Sequence, residues 1–202
     1  MEDHVEKRID EIISGMTLAE KLGQMTYIAP TSDYSYEDIK EQLKNLYLGV
    51  VANVTTPQKC NELQRIAIEE TPSGIPLIFG RDTIHGYRTI FPIPLAMASS
   101  WNADLMEKAA EIAAKEASSD GINLNFAPMM DIARDSRWGR IMEAYSEDPY
   151  LSRVFTRSVV RGYQGDDISD PERLAACAKH FVGQGAAVGG RDYGETDITE
   201  RT

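Results

Sequence analysis

The sequence predicts an α/β fold, and three observations predict it. Compact apolar runs alternate with helical segments along the chain. Those runs lack polar alternation, which is the pattern of strands covered on both faces of a parallel sheet. Charged residues gather just after the runs end, at Arg81–Asp82, Asp131 and Lys179–His180. The choice lies between a doubly wound sheet and a (β/α)8 TIM-type barrel. The third observation favours the barrel, because barrel enzymes build their sites at the C-terminal ends of the strands. A whole barrel takes about 250 residues. The 202 residues here hold only five or six strand candidates, so the expectation is an incomplete barrel.

The elements follow in order. Val5, Ile9, Ile12 and Ile13 recur at helical spacing over 5–14. Thr17 and Glu20 form a capping box for LAEKLGQM. Tyr27 to Ala29 reads as a short strand stopped by Pro30, and 36–46 as a helix. LGVVANV at 48–54 is a buried strand, and Pro57 opens a helix reaching Glu70. Ile75 to Phe79 is the next strand, closed by Gly80. Asn102 caps a helix over 103–119, with Leu105, Met106, Ala109, Ile112, Ala113 and Ala117 on one face. INLNFAP at 122–128 is a strand ending at a proline. Asp148–Pro149 starts a helix with Leu151, Val154, Phe155, Val159 and Tyr163 inside and Arg153, Arg157 and Arg161 outside. LAACAKHF at 174–181 is the last strand, and DITERT reads as a helix start capped by Thr199.

Composition narrows the function classes. The chain is 42% hydrophobic and 26% charged, as in a globular domain with one core. Its net charge of −11 argues against nucleic acid or an anionic membrane as partner. No apolar run approaches the ~18 residues of a membrane span. The start, MEDHVEKRIDEII, is polar and acidic and does not read as a signal peptide. That leaves a cytoplasmic protein, or a periplasmic or secreted one whose leader was removed. Cys60 and Cys177 lie in segments that read as buried, so both are expected to be core thiols. The absence of CxxC and of a His/Cys cluster predicts no structural zinc or other metal site.

Three constellations carry chemistry. GRDTIHG at 80–86 puts Asp82 at a strand exit, where a carboxylate can accept from two neighbouring sugar hydroxyls. Position alone equally allows a capping role or an ion pair with Arg81. His85 reads as structural. MMDIARDSRWGRIMEAYSEDP at 129–149 crowds Arg134, Arg137 and Arg140 with five carboxylates around Trp138 and Gly139. Most of these charges are expected to rigidify the loop, with one or two reaching a site. AACAKHFVGQGAAVGGRD at 175–192 ends a strand in Lys179 and His180 and then opens into glycines. In a regular strand these two side chains face opposite ways, so a shared ligand requires irregular backbone. The other reading pairs Lys179 with a core carboxylate and turns His180 outward.

These motifs, with MTLAEKLGQM at 16–25, resemble glycoside hydrolase family 3, the β-glucosidase family, in order along nearly the whole chain. The resemblance implies a barrel first domain. It implies that residues 1–202 are the N-terminal part of that domain, with later barrel strands and an α/β sandwich domain absent. It also implies retaining hydrolysis of terminal non-reducing β-D-glucosyl residues, with β-glucosides, β-glucan oligosaccharides and glucose as ligands. Matched to the motifs, Asp82, Arg140, Lys179 and His180 would hold the sugar, Arg191 would add a contact, and non-proline cis peptides are expected near Lys179. Glu143 and Glu147 look structural. No metal or organic cofactor is needed.

Val182 and Gln184 depart from the KHFPGHG of the hexosaminidase branch, which disfavours N-acetylglucosaminides. No SDW run occurs, so the nucleophilic aspartate and the acid/base glutamate are expected beyond Thr202, and no catalytic residue within the chain. The chain alone is then expected to be inactive. A noncatalytic carbohydrate-binding fragment and one half of a split enzyme are the alternatives. An open barrel edge is expected to favour self-association.

Overall fold

The computed structural model describes residues 2–45 and 48–201. The last residue of the helix expected over 36–46 lies outside them. The chain divides into two compact units: residues 1–80 with 120–122, and 81–119 with 123–202.

The first unit opens with helices α1 (Glu2–Gly15) and α2 (Leu18–Gln24). The capping box of α2 is complete: Thr17 Oγ1 accepts the Glu20 amide, and the Glu20 carboxylate accepts the Thr17 amide. Strand β1 (Tyr27–Ile28), helix α3 (Tyr36–Lys44), strand β2 (Val50–Ala52), helix α4 (Pro57–Glu69) and strand β3 (Ile78–Arg81) follow. β1 pairs parallel to β2 with Tyr27 opposite Val50, and β2 pairs parallel to β3 with Val51 opposite Phe79. Ile39, Leu43, Val51, Leu63, Ile66 and Phe79 are buried. The apolar stripe of α1 is not covered: Val5, Ile9, Ile12 and Ile13 are all exposed.

The second unit begins at Arg81, the last residue of β3, and contains helices α5 (Pro94–Ala98) and α6 (Ala103–Ser118), strand β4 (Leu124–Asn125), helix α7 (Pro149–Gln164) and strand β5 (Ala175–Ala176). Asn102 caps α6 and Asp148 caps α7, each accepting first-turn amides. Helices α6 and α7 pack on each other, closely enough that a Cβ at Gly162 would lie 2.2 Å from the Glu107 carbonyl oxygen. Leu105 points out to solvent, and the contact face of α6 runs instead through Met106, Ala109, Ala110, Ala113, Ala114 and Ala117. β4 pairs parallel to β5, with Asn125 opposite Ala176. Among the described residues these strand pairings are parallel, with antiparallel contact confined to isolated bridges at Gly86–Ile90 and Ala187–Thr196, and strands alternate with helices, as the α/β class requires.

Two expectations need correction. Cys60 is buried, but Cys177 is exposed. Among the described residues β5 has a strand partner only in β4; on its other side the Ala176 amide donates to the Gln164 side chain at 3.0 Å. Residues 197–201 carry a turn rather than a helix.

Candidate functional site

The site lies in the second unit, where three loops leave β3, β4 and β5. The first is tied down just after β3. The Arg81 carbonyl accepts the Phe126 amide at 3.0 Å, the Asn125 side chain accepts the Thr83 amide at 2.9 Å, and the Tyr163 hydroxyl donates to the Thr83 carbonyl at 2.7 Å. Asp82 sits between these anchors. Its carboxylate does not turn to Arg81 as an ion pair but meets Lys179 Nζ at 2.7 Å. The Lys179 side chain is 17% exposed and that of Asp82 52%, so the pair opens to solvent on the carboxylate side.

The chain beyond β5 stays against the β4 loop without regular strand geometry. The Lys179 amide donates to the Pro128 carbonyl at 3.0 Å, and the Lys179 carbonyl accepts the Met130 amide at 2.7 Å. The Lys179–His180 and Phe181–Val182 peptides are cis, as is Ala127–Pro128. His180 points inward. Its Nδ1 lies 2.8 Å from Asp131 Oδ2, and its Nε2 lies 3.3 Å from Arg140 Nη1. Arg140 in turn forks onto Glu143, with Nε and Nη2 each 2.7 Å from a carboxylate oxygen. That fork, foremost, raises the guanidinium's affinity for its proton above the ordinary value.

A further cluster backs Arg140. Trp138 is buried, and its indole Nε1 donates to Asp192 Oδ1 at 3.0 Å. The Gln184 amide donates to the same oxygen at 3.1 Å. The Trp138 bond first, and the Gln184 bond next, hold the Asp192 carboxyl below its ordinary value. Glycines let the β5 loop approach the β4 loop: a Cβ on Gly185 would stand 2.4 Å from the Ile132 carbonyl oxygen. Gly190, with φ of +71°, would place a Cβ 2.7 Å from the Trp138 nitrogen.

Asp82 is thus paired with Lys179, and His180 with Arg140. Arg191 is exposed and makes no ion pair among the described residues; its neighbour Asp192 is the residue tied to Trp138. Glu147 is exposed, and the His85 ring bonds the Phe91 carbonyl at 2.9 Å in a structural role. Asp131 and Gln184 hold the site together but were not among the expected binding residues. The signal for Asp131 was its place after a strand end, the same signal that marked Asp82. A nearby cleft of ≈ 560 Å³ is lined by Trp101, Arg134, Tyr145 and Phe155, among others, and by none of these four expected sugar contacts. No group of three or more metal-ligating side chains occurs among the described residues.

Residues 17–202 match the glycosyl hydrolase family 3 N terminal domain. The chain belongs to glycoside hydrolase family 3. The periplasmic beta-glucosidase of Salmonella typhimurium is 36% identical over 193 residues, covering 96% of this chain and 25% of that protein. The lysosomal beta glucosidase of Dictyostelium discoideum is 30% identical, over 96% of this chain and 28% of its own length. Among solved structures, the Listeria innocua beta-glucosidase in complex with glucose superposes with a TM-score of 0.87 at 35% identity, covering 96% of this chain and 29% of that one. This family 3 chain therefore spans about a quarter of the length of the relatives it matches. The resemblance read from GRDTIHG, SRWGRIMEAYSEDP and AACAKHFVGQG holds over nearly all of its length.

Proposed function

We propose that residues 1–202 form the sugar-holding part of a retaining β-glucosidase site that takes terminal non-reducing β-D-glucosyl residues. The observation that carries the reading is the Lys179–Asp82 pair, 2.7 Å apart, with the carboxylate half open to solvent. An ammonium group donates and a carboxylate accepts, so together they match the oxygen and hydrogen of neighbouring sugar hydroxyls. Arg140 supports the same reading. Of its five N–H donors, three are used by Glu143 and His180, which leaves two to reach a ligand. The Listeria innocua enzyme, structured with glucose and with laminaribiose, supports glucosyl ligands. Arg191, exposed beside Asp192, is proposed as an outer contact.

Bond cleavage needs two carboxylates about 5–5.5 Å apart, a nucleophile and an acid/base. Near the site, Asp131, Glu143 and Asp192 are each engaged by a positioned side chain, and Asp82 by Lys179. Both catalytic carboxylates are therefore proposed to come from outside residues 1–202. The side of β5 that pairs with no second strand among the described residues is proposed to be a self-association surface.

Glucose titrated into the 15N-labelled chain, read by NMR, tests the binding role. Shifts are expected at the amides of Lys179 and His180, and Asp82→Asn should weaken binding about tenfold or more with the fold unchanged. Absence of any glucose response at the highest soluble concentrations would overturn it. Hydrolysis of an aryl β-glucoside by the chain alone would show that both catalytic carboxylates lie within it.

A further inference from the structure

We infer that Asp131 is a positioning residue that holds His180 in the Nδ1–H tautomer and so makes its Nε2 a hydrogen-bond acceptor. Asp131 Oδ2 receives the backbone amide of His180 at 3.2 Å, which makes that oxygen an acceptor. His180 Nδ1 approaches the same oxygen at 2.8 Å and must therefore bring a proton. The opposite end of the ring gives the same answer independently. Nε2 faces Arg140 Nη1 at 3.3 Å, and a guanidinium nitrogen can only donate. Nε2 must carry the lone pair.

The two locks are themselves held. The Asp131 side chain is 2% exposed, and Gly185 packs against its Cβ and the neighbouring Ile132 carbonyl. Arg140 is fixed by its two-point contact with Glu143, which leaves Nη1 for His180. A side chain that sets which ring nitrogen bears the proton acts as an orienting partner behind a functional histidine.

The consequence for a ligand rests on the sugar-binding reading above. A group that displaces or shares the Arg140 contact at Nε2 must give a hydrogen, so it is a hydroxyl acting as donor. Lys179 and Arg140 supply the opposite polarity, donating to hydroxyl oxygens.

Imidazole 15N NMR of the 202-residue chain without sugar, at a pH where imidazole is neutral, tests the tautomer; only three histidines are present. The wild type should show the proton on Nδ1 of His180. Asp131→Ala should raise the share of the Nε2–H tautomer, in part because Arg140 still donates to Nε2, and weaken glucose binding about tenfold. Asp131→Asn keeps a carbonyl oxygen that can accept, so it should restore the Nδ1–H signature; a role through charge alone predicts that Asn fails as Ala does. If Asp131→Ala does not fold, the wild-type signature and its partial loss in Arg140→Met decide the matter. An Nε2–H signal in the wild type, or an unchanged tautomer in folded Asp131→Ala, overturns the inference. The expected tautomers without any glucose response would leave the inference standing and sink the sugar reading.

Discussion

Asp192 holds its charge against a buried indole, and that makes the loop around Trp138 sensitive to acid. Its carboxyl lies below the ordinary value in the folded chain because Trp138 and Gln184 donate to the ionised form. A group with a depressed folded value stabilises above its unfolded value, about 3.9. That contribution is lost as pH falls through the folded value. Acidification below about pH 4 should therefore loosen the Trp138 contact. The chain has two tryptophans, so Trp101→Phe leaves Trp138 as the single reporter. Its fluorescence should shift toward that of exposed indole as pH falls below about 4. Asp192→Ala, which removes the acceptor, should show the shifted spectrum already at neutral pH, and a flat wild-type profile would contradict the argument. At this scale the motifs pointed to Asp82, Arg140, Lys179 and His180, because each sits at a strand end or in a charged loop. Their partners were harder to see. Lys179 finds Asp82 from 97 positions away, and Trp138 finds Asp192 from 54. Spacing along a chain cannot reveal contacts made by folding over such separations.

Close approach between loops, rather than strand length, positions the site. β5 comprises only Ala175 and Ala176, although an eight-residue run, 174–181, reads as a strand. Beyond it the backbone follows the β4 loop through single bonds at Lys179, and glycines allow that contact. A methyl group on Gly185 would meet the Ile132 carbonyl at 2.4 Å, and that oxygen is backbone. Gly185→Ala should therefore destabilise the chain by about 1–3 kcal/mol, read as a fall in the urea midpoint. Gly139 offers a control in a neighbouring segment. A Cβ there meets nothing within 4 Å, and Gly139→Ala should stay within about 0.5 kcal/mol. Equal effects of the two substitutions would reject the close-approach account. Helix ends were legible because capping chemistry is local: Thr17 with Glu20, Asn102 and Asp148 all cap as read. The short helix Pro94–Ala98 was not, because five residues provide too little periodicity to recognise.

Taken as a whole, the molecule combines a charge that keeps copies apart with apolar groups that would draw them together. Its net charge is −11. Just after β5 in the chain come exposed Cys177, Phe181 at 98% and Val182 at 75%. The α/β class was legible from strand–helix alternation, since that pattern depends on covering both faces of a parallel sheet. Which apolar residues stay uncovered was not, because a buried and an exposed valine look alike in a sequence. An unpaired strand edge beside large apolar side chains is a template for association. Like charge opposes that association over roughly a Debye length, about 10 Å at 0.1 M salt and shorter above it. Raising the salt concentration should therefore promote self-association of the isolated chain, where a charge-pair interface would instead dissociate. Sedimentation velocity at low and high salt distinguishes the two. A shift to dimers or larger species at high salt is expected, and Val182→Lys should suppress it by placing a charge on that edge. A chain that stays monomeric at high salt and high concentration would remove the β5 edge as an association surface. Association that survives Val182→Lys would move the contact elsewhere, with the exposed Val5, Ile9, Ile12 and Ile13 of α1 as the next surface to substitute.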